Sequence, residues 1–103
     1  VTILGFIHKR KGYHLVPEIA AMLGEDYHFV FAGAAPSSYN EEYVENILVD
    51  AEFRGIKEHI TVTGFLDDDQ YEIMLSATDI AFAPFLDVSA SGSLADWVSV
   101  AKP

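Results

Sequence analysis

The sequence has no cysteine, few basic residues and no long apolar run. Without cysteine the chain forms no disulfide and no thiolate metal site, which is compatible with a reducing compartment, and we expect the protein to be cytoplasmic. Six basic residues against sixteen acidic ones give a formal net charge of −10, which disfavours nucleic acid and anionic membrane surfaces as partners. No apolar run has the length of a membrane span, and the first residues lack the pattern of a signal peptide.

The remaining composition is that of a packed domain. Half of the 103 residues are hydrophobic and 21% are charged, so we expect one globular domain over residues 1–103. The given sequence begins with Val1, inside an apolar run, and it ends with Pro103, after a helical pattern that no further strand follows. Because natural domain edges rarely have this form, we expect the chain to be a fragment of a longer protein.

Apolar runs alternate with helical patterns along the chain. Continuous apolar runs predict buried strands at residues 1–6, 27–33, 60–65 and 80–85. Apolar residues at helical spacing predict helices at residues 13–23, 41–53, 67–77 and 94–101. Four strand–helix units in this order predict an α/β fold in which helices cover the faces of a parallel sheet. Ligands of such sheets bind beyond the carboxyl ends of the strands.

Polar side chains mark two of the predicted helix starts. Ser38 and Glu41 have the spacing of a capping box for the second helix. Three consecutive acidic residues, Asp67, Asp68 and Asp69, begin the third helix. Carboxylates at this position complement the positive end of the helix dipole, so we interpret these residues as capping residues and not as a metal site.

A loop of small residues, Ser-Ala-Ser-Gly-Ser at 89–93, separates the fourth strand from the last helix. Its backbone amides and the hydroxyls of Ser91 and Ser93 could bind an anion such as phosphate at the positive end of that helix. The same hydroxyls could instead cap the helix without any ligand. Both interpretations are compatible with the loop taken alone.

Lys11 and Gly12 follow the first strand, in the only concentrated positive charge of the chain. If the first and fourth strands are neighbours, their exits meet at one edge, and Lys11 would join the 91–93 loop in a diphosphate site. The alternative is an ordinary solvated lysine. Neither the glycine-rich dinucleotide fingerprint nor the P-loop signature occurs, so the sequence does not indicate these two kinds of nucleotide site.

Four further side chains are weaker candidates. The Asp96 carboxylate could accept hydrogen bonds from a ribose, or it could complement the dipole of the last helix. Asp87 could contact a sugar hydroxyl or cap a turn, and His8 and His14 could contact phosphate or sugar or serve a structural role. No Ser/His/Asp set and no metal-ligand cluster has suitable spacing, so we assign no catalytic residue and no metal.

Taken together, these motifs resemble the C-terminal, donor-binding domain of GT-B glycosyltransferases of the family 4 type, within the group 1 glycosyl transferases. The likeness extends over essentially the whole chain, and no single motif carries it. The matching segments are, in order, Gly5-Phe6-Ile7, Lys11-Gly12, Phe31-Ala32-Gly33, Val62-Thr63-Gly64-Phe65, Asp79 with Pro84, Ser91-Gly92-Ser93-Leu94 and Lys102-Pro103.

The resemblance implies a retaining, metal-independent hexosyltransferase. Its donor would be a nucleotide-diphosphate sugar, held between two Rossmann-like domains of which this chain is the second, and no cofactor would be needed. The missing N-terminal domain would bind the acceptor, so we expect the fragment alone to be inactive. The resemblance assigns the diphosphate to Lys11, Gly12, Ser91, Gly92 and Ser93, the ribose to Asp96, and the base to Phe65 and Leu66. His8 and Asp87 remain candidates for contacts with the sugar.

Phe6 departs from the family's pattern, because the family often has arginine at this position. One phosphate contact is then missing or is supplied by Lys9 or Arg10. The two glutamates of the usual Glu-x7-Glu motif are a second departure, since their positions hold Val88 and Asp96. A subset of the family carries a Ser-Gly-x-Leu loop here, which makes divergence as plausible as loss of function.

An alternative function is that of a non-catalytic α/β module that binds other proteins, with its acidic surface facing a basic partner. A second α/β domain upstream of Val1 would favour the transferase over this module. A receiver-like phosphoacceptor domain is a weaker alternative, because no aspartate ends the first strand.

Overall fold

A parallel β-sheet organises the chain in the computed structural model, which describes residues 1–7 and 9–84. The strands of this sheet are β1 (Thr2–Leu4), β2 (Phe29–Ala32) and β3 (Ile60–Val62). The helices are α1 (Val16–Leu23), α2 (Ser38–Phe53) and α3 (Asp68–Ala77). Short 3-10 turns lie at Lys9–Lys11, Tyr13–Leu15 and Lys57–His59.

β2 is the central strand and pairs in parallel with both of its neighbours, so the sheet order is β1-β2-β3. In the register of the sheet, Ile3 lies opposite Phe31, and Phe31 lies opposite Val62. Each strand is followed by a helix that returns the chain to the amino end of the sheet, as parallel pairing requires. The carboxyl ends of all three strands therefore lie at one edge.

Helices cover both faces of the sheet. On one face, Ile3, Phe29 and Phe31 belong to a core cluster that also contains the buried side chains of α1 and α2. On the other face, Leu4 and Ala32 pack with Leu75 of α3. Because both faces of the sheet are buried, the strands have continuous apolar sequences. The fold class predicted from the sequence, an α/β Rossmann-like parallel sheet with helices on both faces, is confirmed.

Local chemistry explains where α1 begins and ends and where α3 begins. Pro17 lies in the first turn of α1, and Gly24 is its C-cap. Asp67 is the N-cap of α3: its side chain accepts a hydrogen bond from the Gln70 amide at 2.8 Å, and the Gln70 side chain accepts one from the Asp67 amide at 3.1 Å. The capping interpretation of these acidic residues is confirmed for Asp67. No helix in the described part of the chain is both long and apolar enough to cross a membrane.

The start of α2 differs from the sequence prediction. The N-cap is Ser37, whose hydroxyl accepts a hydrogen bond from the Asn40 amide at 3.3 Å. The predicted capping box of Ser38 and Glu41 was therefore wrong by one residue, and the helix begins at Ser38 instead of Glu41. The reason is backbone conformation, because Ser37 is extended, as an N-cap residue must be, whereas Ser38 is already helical.

The predicted fourth strand is represented by one bridge beside β1. Ala81 pairs in parallel with Thr2, the Thr2 amide donates to the Ile80 carbonyl at 2.9 Å, and the Phe82 amide donates to the Thr2 carbonyl at 2.9 Å. β1 therefore lies between this segment and β2, as the predicted site at the carboxyl edge required. Phe85 and the predicted helix at 94–101 lie outside the described residues.

Candidate functional site

The loops that leave the three strands surround a pocket of about 200 Å³ at the carboxyl edge of the sheet. Among the described residues, no charged side chain lines it, and the only polar side chain is the tyrosine in the first turn of α3. The lining residues are Gly5, Phe6, Ala32, Gly33, Ala34, Phe65, Leu66 and Tyr71. A pocket of this composition suits an apolar or aromatic group better than a phosphate.

Hydrogen bonds between the strand exits hold the pocket together. The Gly5 amide donates to the Ala32 carbonyl at 3.0 Å, and the Gly33 amide donates to the Thr63 hydroxyl at 3.1 Å. Gly33 also packs directly against the carbonyl oxygen of Gly5, and a Cβ atom at Gly33 would collide with that oxygen. The first and second exits can therefore approach this closely only because residue 33 has no side chain.

The ammonium group of Lys11 lies beside Gly5, which is one of the residues that line this pocket. A Cβ atom added to Gly5 would be 2.5 Å from the Lys11 Nζ atom, so the absence of a side chain at residue 5 makes room for the cation. Lys11 is half-buried, and desolvation lowers its pKa below the ordinary value for lysine. A partly buried ammonium group attracts an anionic ligand more strongly than one in open water.

Gly12, in the loop that follows β1, packs against the segment that follows α3. Its backbone has a φ of 74°, and a Cβ atom there would collide with the carbonyl oxygen of Pro84. Pro84 is the last residue of that segment that the structure describes. As far as Pro84, the exits of the first and fourth predicted strands therefore lie side by side.

Tyr13 connects Gly5 of the site to the hydrophobic core, and it was not predicted as a site residue. Its buried hydroxyl donates to the Gly5 carbonyl at 3.2 Å, and its ring meets Phe31 edge to face with the centroids 4.8 Å apart. Burial, reinforced by the nearby Tyr43, raises the pKa of Tyr13, so the phenol stays a neutral donor. The sequence signal was an aromatic residue with a polar tip directly after Gly12, at the first turn of a predicted helix.

His14 is hydrogen-bonded to Tyr43 of α2. Its Nδ1 atom lies 2.9 Å from the Tyr43 hydroxyl, and its backbone amide donates to the same hydroxyl at 3.1 Å. This contact favours the structural role over the phosphate or sugar contact that the sequence left open. Within residues 1–7 and 9–84, no three metal-ligating side chains are grouped closely enough to hold an ion.

The structure brings together four of the residues that the sequence singled out for the site. Lys11 and Gly12 lie at the first exit, and Phe65 and Leu66 line the pocket beside it. The roles assigned to them, in diphosphate and base binding, stay predictions. The other candidates lie outside the described residues: His8, Asp87, Ser91, Gly92, Ser93 and Asp96. Sequence reasoning missed Phe6 and Tyr71 as pocket residues, because each is apparent only once the strand order is known.

Comparison with known proteins gives a family match. The sequence model of the family described as Glycosyl transferases group 1 matches residues 1–90, a span that includes all three strands, all three helices and the pocket. No curated protein and no solved structure matches the chain significantly. The family match favours sugar transfer over the protein-interaction module that the sequence left open.

Proposed function

The chain belongs to the group 1 glycosyltransferases, and on that premise we propose that it binds the nucleotide-diphosphate sugar donor of such an enzyme. The observation that carries this proposal is the Lys11 ammonium group beside Gly5, which lines the pocket on the carboxyl edge of the sheet; the described lining residues carry no charge. A cation next to an apolar pocket suits a ligand with an anionic part and a flat, uncharged part. A nucleoside diphosphate has both parts.

In this proposal Lys11 and Gly12 hold the diphosphate, together with Ser91, Gly92 and Ser93 of the last loop. Phe65 and Leu66 border the base, Asp96 binds the ribose, and His8 and Asp87 contact the sugar. The chain would be the C-terminal donor domain of a two-domain GT-B enzyme of the family 4 type. Without the acceptor domain, the 103-residue chain alone would bind donor but not turn it over.

The proposed reaction transfers a hexosyl group with retention of configuration and without a metal ion. The bond between the anomeric carbon and the diphosphate oxygen breaks, and its electron pair remains on the nucleoside diphosphate. A new bond forms between that carbon and the acceptor hydroxyl oxygen, whose proton passes to the departing diphosphate. Lys11 would stabilise the negative charge that develops on the leaving group, and its partial burial strengthens this effect relative to open water.

Substitution of Lys11 tests the proposal. We expect K11Q to weaken binding of the preferred nucleotide among UDP, GDP and ADP by about 10- to 100-fold, because a hydrogen-bonded charge partner is lost. Isothermal titration calorimetry on the full-length protein gives the affinities. K57Q is the matched control, since Lys57 is exposed, precedes β3 at the opposite edge and lies 4.0 Å from Glu52. Equal nucleotide affinity of K11Q and K57Q would refute the role of Lys11.

A further inference from the structure

We propose that Phe6 is a stacking residue for the nucleobase and that it shares this role with Phe65. The inference rests on the proposed function, because it takes a nucleoside diphosphate as the ligand. It assigns to residue 6 a contact with the ring of the donor in place of a contact with its phosphates. Recognition of the base and recognition of the diphosphate would then be separate in this site.

The strand order places the two phenylalanines on either side of β2. Phe6 leaves the sheet after β1, Phe65 leaves it after β3, and β2 runs between these two strands. The β2 exit contributes only small residues to the pocket, Ala32, Gly33 and Ala34. The pocket therefore has a floor of small side chains and backbone, with one phenylalanine from each flanking strand.

The rings of Phe6 and Phe65 are both largely exposed to solvent. Phe6 is 58% exposed and Phe65 is 78% exposed, although both line the same pocket. Exposed aromatic surface of this size is unfavourable in water, and a flat ring inserted beside the two phenylalanines would cover it. Every base has a π-face, so this kind of contact suits any nucleobase.

Size and charge identify the part of the ligand that fits. Pockets for whole drug-sized ligands have volumes of roughly 300–1,000 Å³, whereas a cavity of about 150 Å³ accepts a benzene ring. The pocket here, at about 200 Å³, has room for one ring system and not for a complete nucleotide sugar. The described lining carries no charge and is unfavourable for phosphates, whereas the Lys11 ammonium group lies beside Gly5, a lining residue.

Titrations with nucleotides and with inorganic pyrophosphate separate the two kinds of contact. In the full-length protein, we expect F6A to weaken the preferred nucleotide among UDP, GDP and ADP by about 5- to 100-fold. Pyrophosphate, which has no ring, should bind F6A as it binds the wild type. F6Y keeps an aromatic face and should retain the nucleotide affinity to within about 3-fold. F65A should resemble F6A.

The control variant is F53A, which removes an equally large ring from a side chain that is 92% exposed at the end of α2. It should leave both affinities unchanged. If F6A binds nucleotide as the wild type does, or weakens pyrophosphate by the same factor, the stacking role of Phe6 is wrong while the role of Lys11 stands. If neither nucleotide nor pyrophosphate binds the folded wild-type protein, the proposed function and the stacking role are both wrong.

Discussion

Tyr13 connects the buried core to the functional edge of the sheet. Its ring packs on Phe31 inside the core, while its hydroxyl donates to the Gly5 carbonyl at 3.2 Å. Gly5 lies just beyond the end of β1, where its carbonyl no longer takes part in the sheet. A partly buried carbonyl without a partner costs free energy, so the phenol both satisfies this group and fixes its position.

We expect Y13F to lower the free energy of unfolding by about 1 kcal/mol at pH 7, because the Gly5 carbonyl loses its donor. Burial raises the pKa of Tyr13 in the folded protein, whereas an unfolded tyrosine ionises near pH 10. The unfolded state therefore releases a proton that the folded state retains, so the contribution is complete below about pH 10 and is lost as the pH rises further.

Urea denaturation of the wild type and of Y13F at pH 7 and above pH 10 tests both parts of this expectation. The decline in stability at high pH should be shallower in Y13F. Y27F, which changes an exposed tyrosine, is the control. An identical decline in the wild type and in Y13F would contradict the pH argument.

Among the elements, the contact between the first loop and the segment after α3 is the one that joins distant parts of the site. Gly12 has a φ of 74° and meets the Pro84 carbonyl. G12A should lower the free energy of unfolding by about 2 kcal/mol or more, because a left-handed alanine is strained and its Cβ overlaps backbone that cannot rotate away.

G55A separates the two causes of this loss. Gly55 has the same φ of 74°, but nothing lies within 4 Å of a Cβ atom placed there. G55A should therefore show only the conformational strain, about 1 kcal/mol. Chemical denaturation of both variants gives the difference, and equal losses would mean that the Pro84 contact has no energetic weight.

The capping box at the start of α3 should contribute to the stability of the protein. D67A removes the side-chain acceptor of the capping box and should cost about 1 kcal/mol of stability. D67N keeps an acceptor oxygen at the same position, so it should retain most of the stability. Thermal or urea unfolding compares the two variants, and an equal loss in D67N would show that the carboxylate acts through its charge instead of through the cap.

Across the whole molecule, the sheet order determines which side chains meet. With β2 in the centre, its glycine and alanines lie between the exits of β1 and β3, and both flanking exits carry a phenylalanine. The same order leaves the far side of β1 available to Ala81, which brings the segment ending at Pro84 next to Gly12. The strand order therefore accounts both for the pocket and for the position of the loop that carries Lys11.

Features that depend on neighbouring residues could be predicted from the sequence. Helical spacing and apolar runs predicted the three described helices and three strands, and the acidic residue at position 67 predicted a cap. These features depend on interactions within a few residues, which a linear pattern records. The same reasoning chose Ser38 over Ser37 as a cap, because adjacent serines fit the motif almost equally and only the backbone distinguishes them.

Which distant residues share the site depends on how the strands are arranged in the folded protein. Phe6 and Phe65 are far apart in the chain, and no local pattern states that β2 separates their strands. The predicted strands ran one to three residues past the observed ends, because a ladder stops where the neighbouring strand turns away and not where apolar residues stop. Lys11 was a candidate from its place in a basic loop, but its position beside Gly5 follows from packing, since contact between separate exits depends on how the whole sheet is assembled.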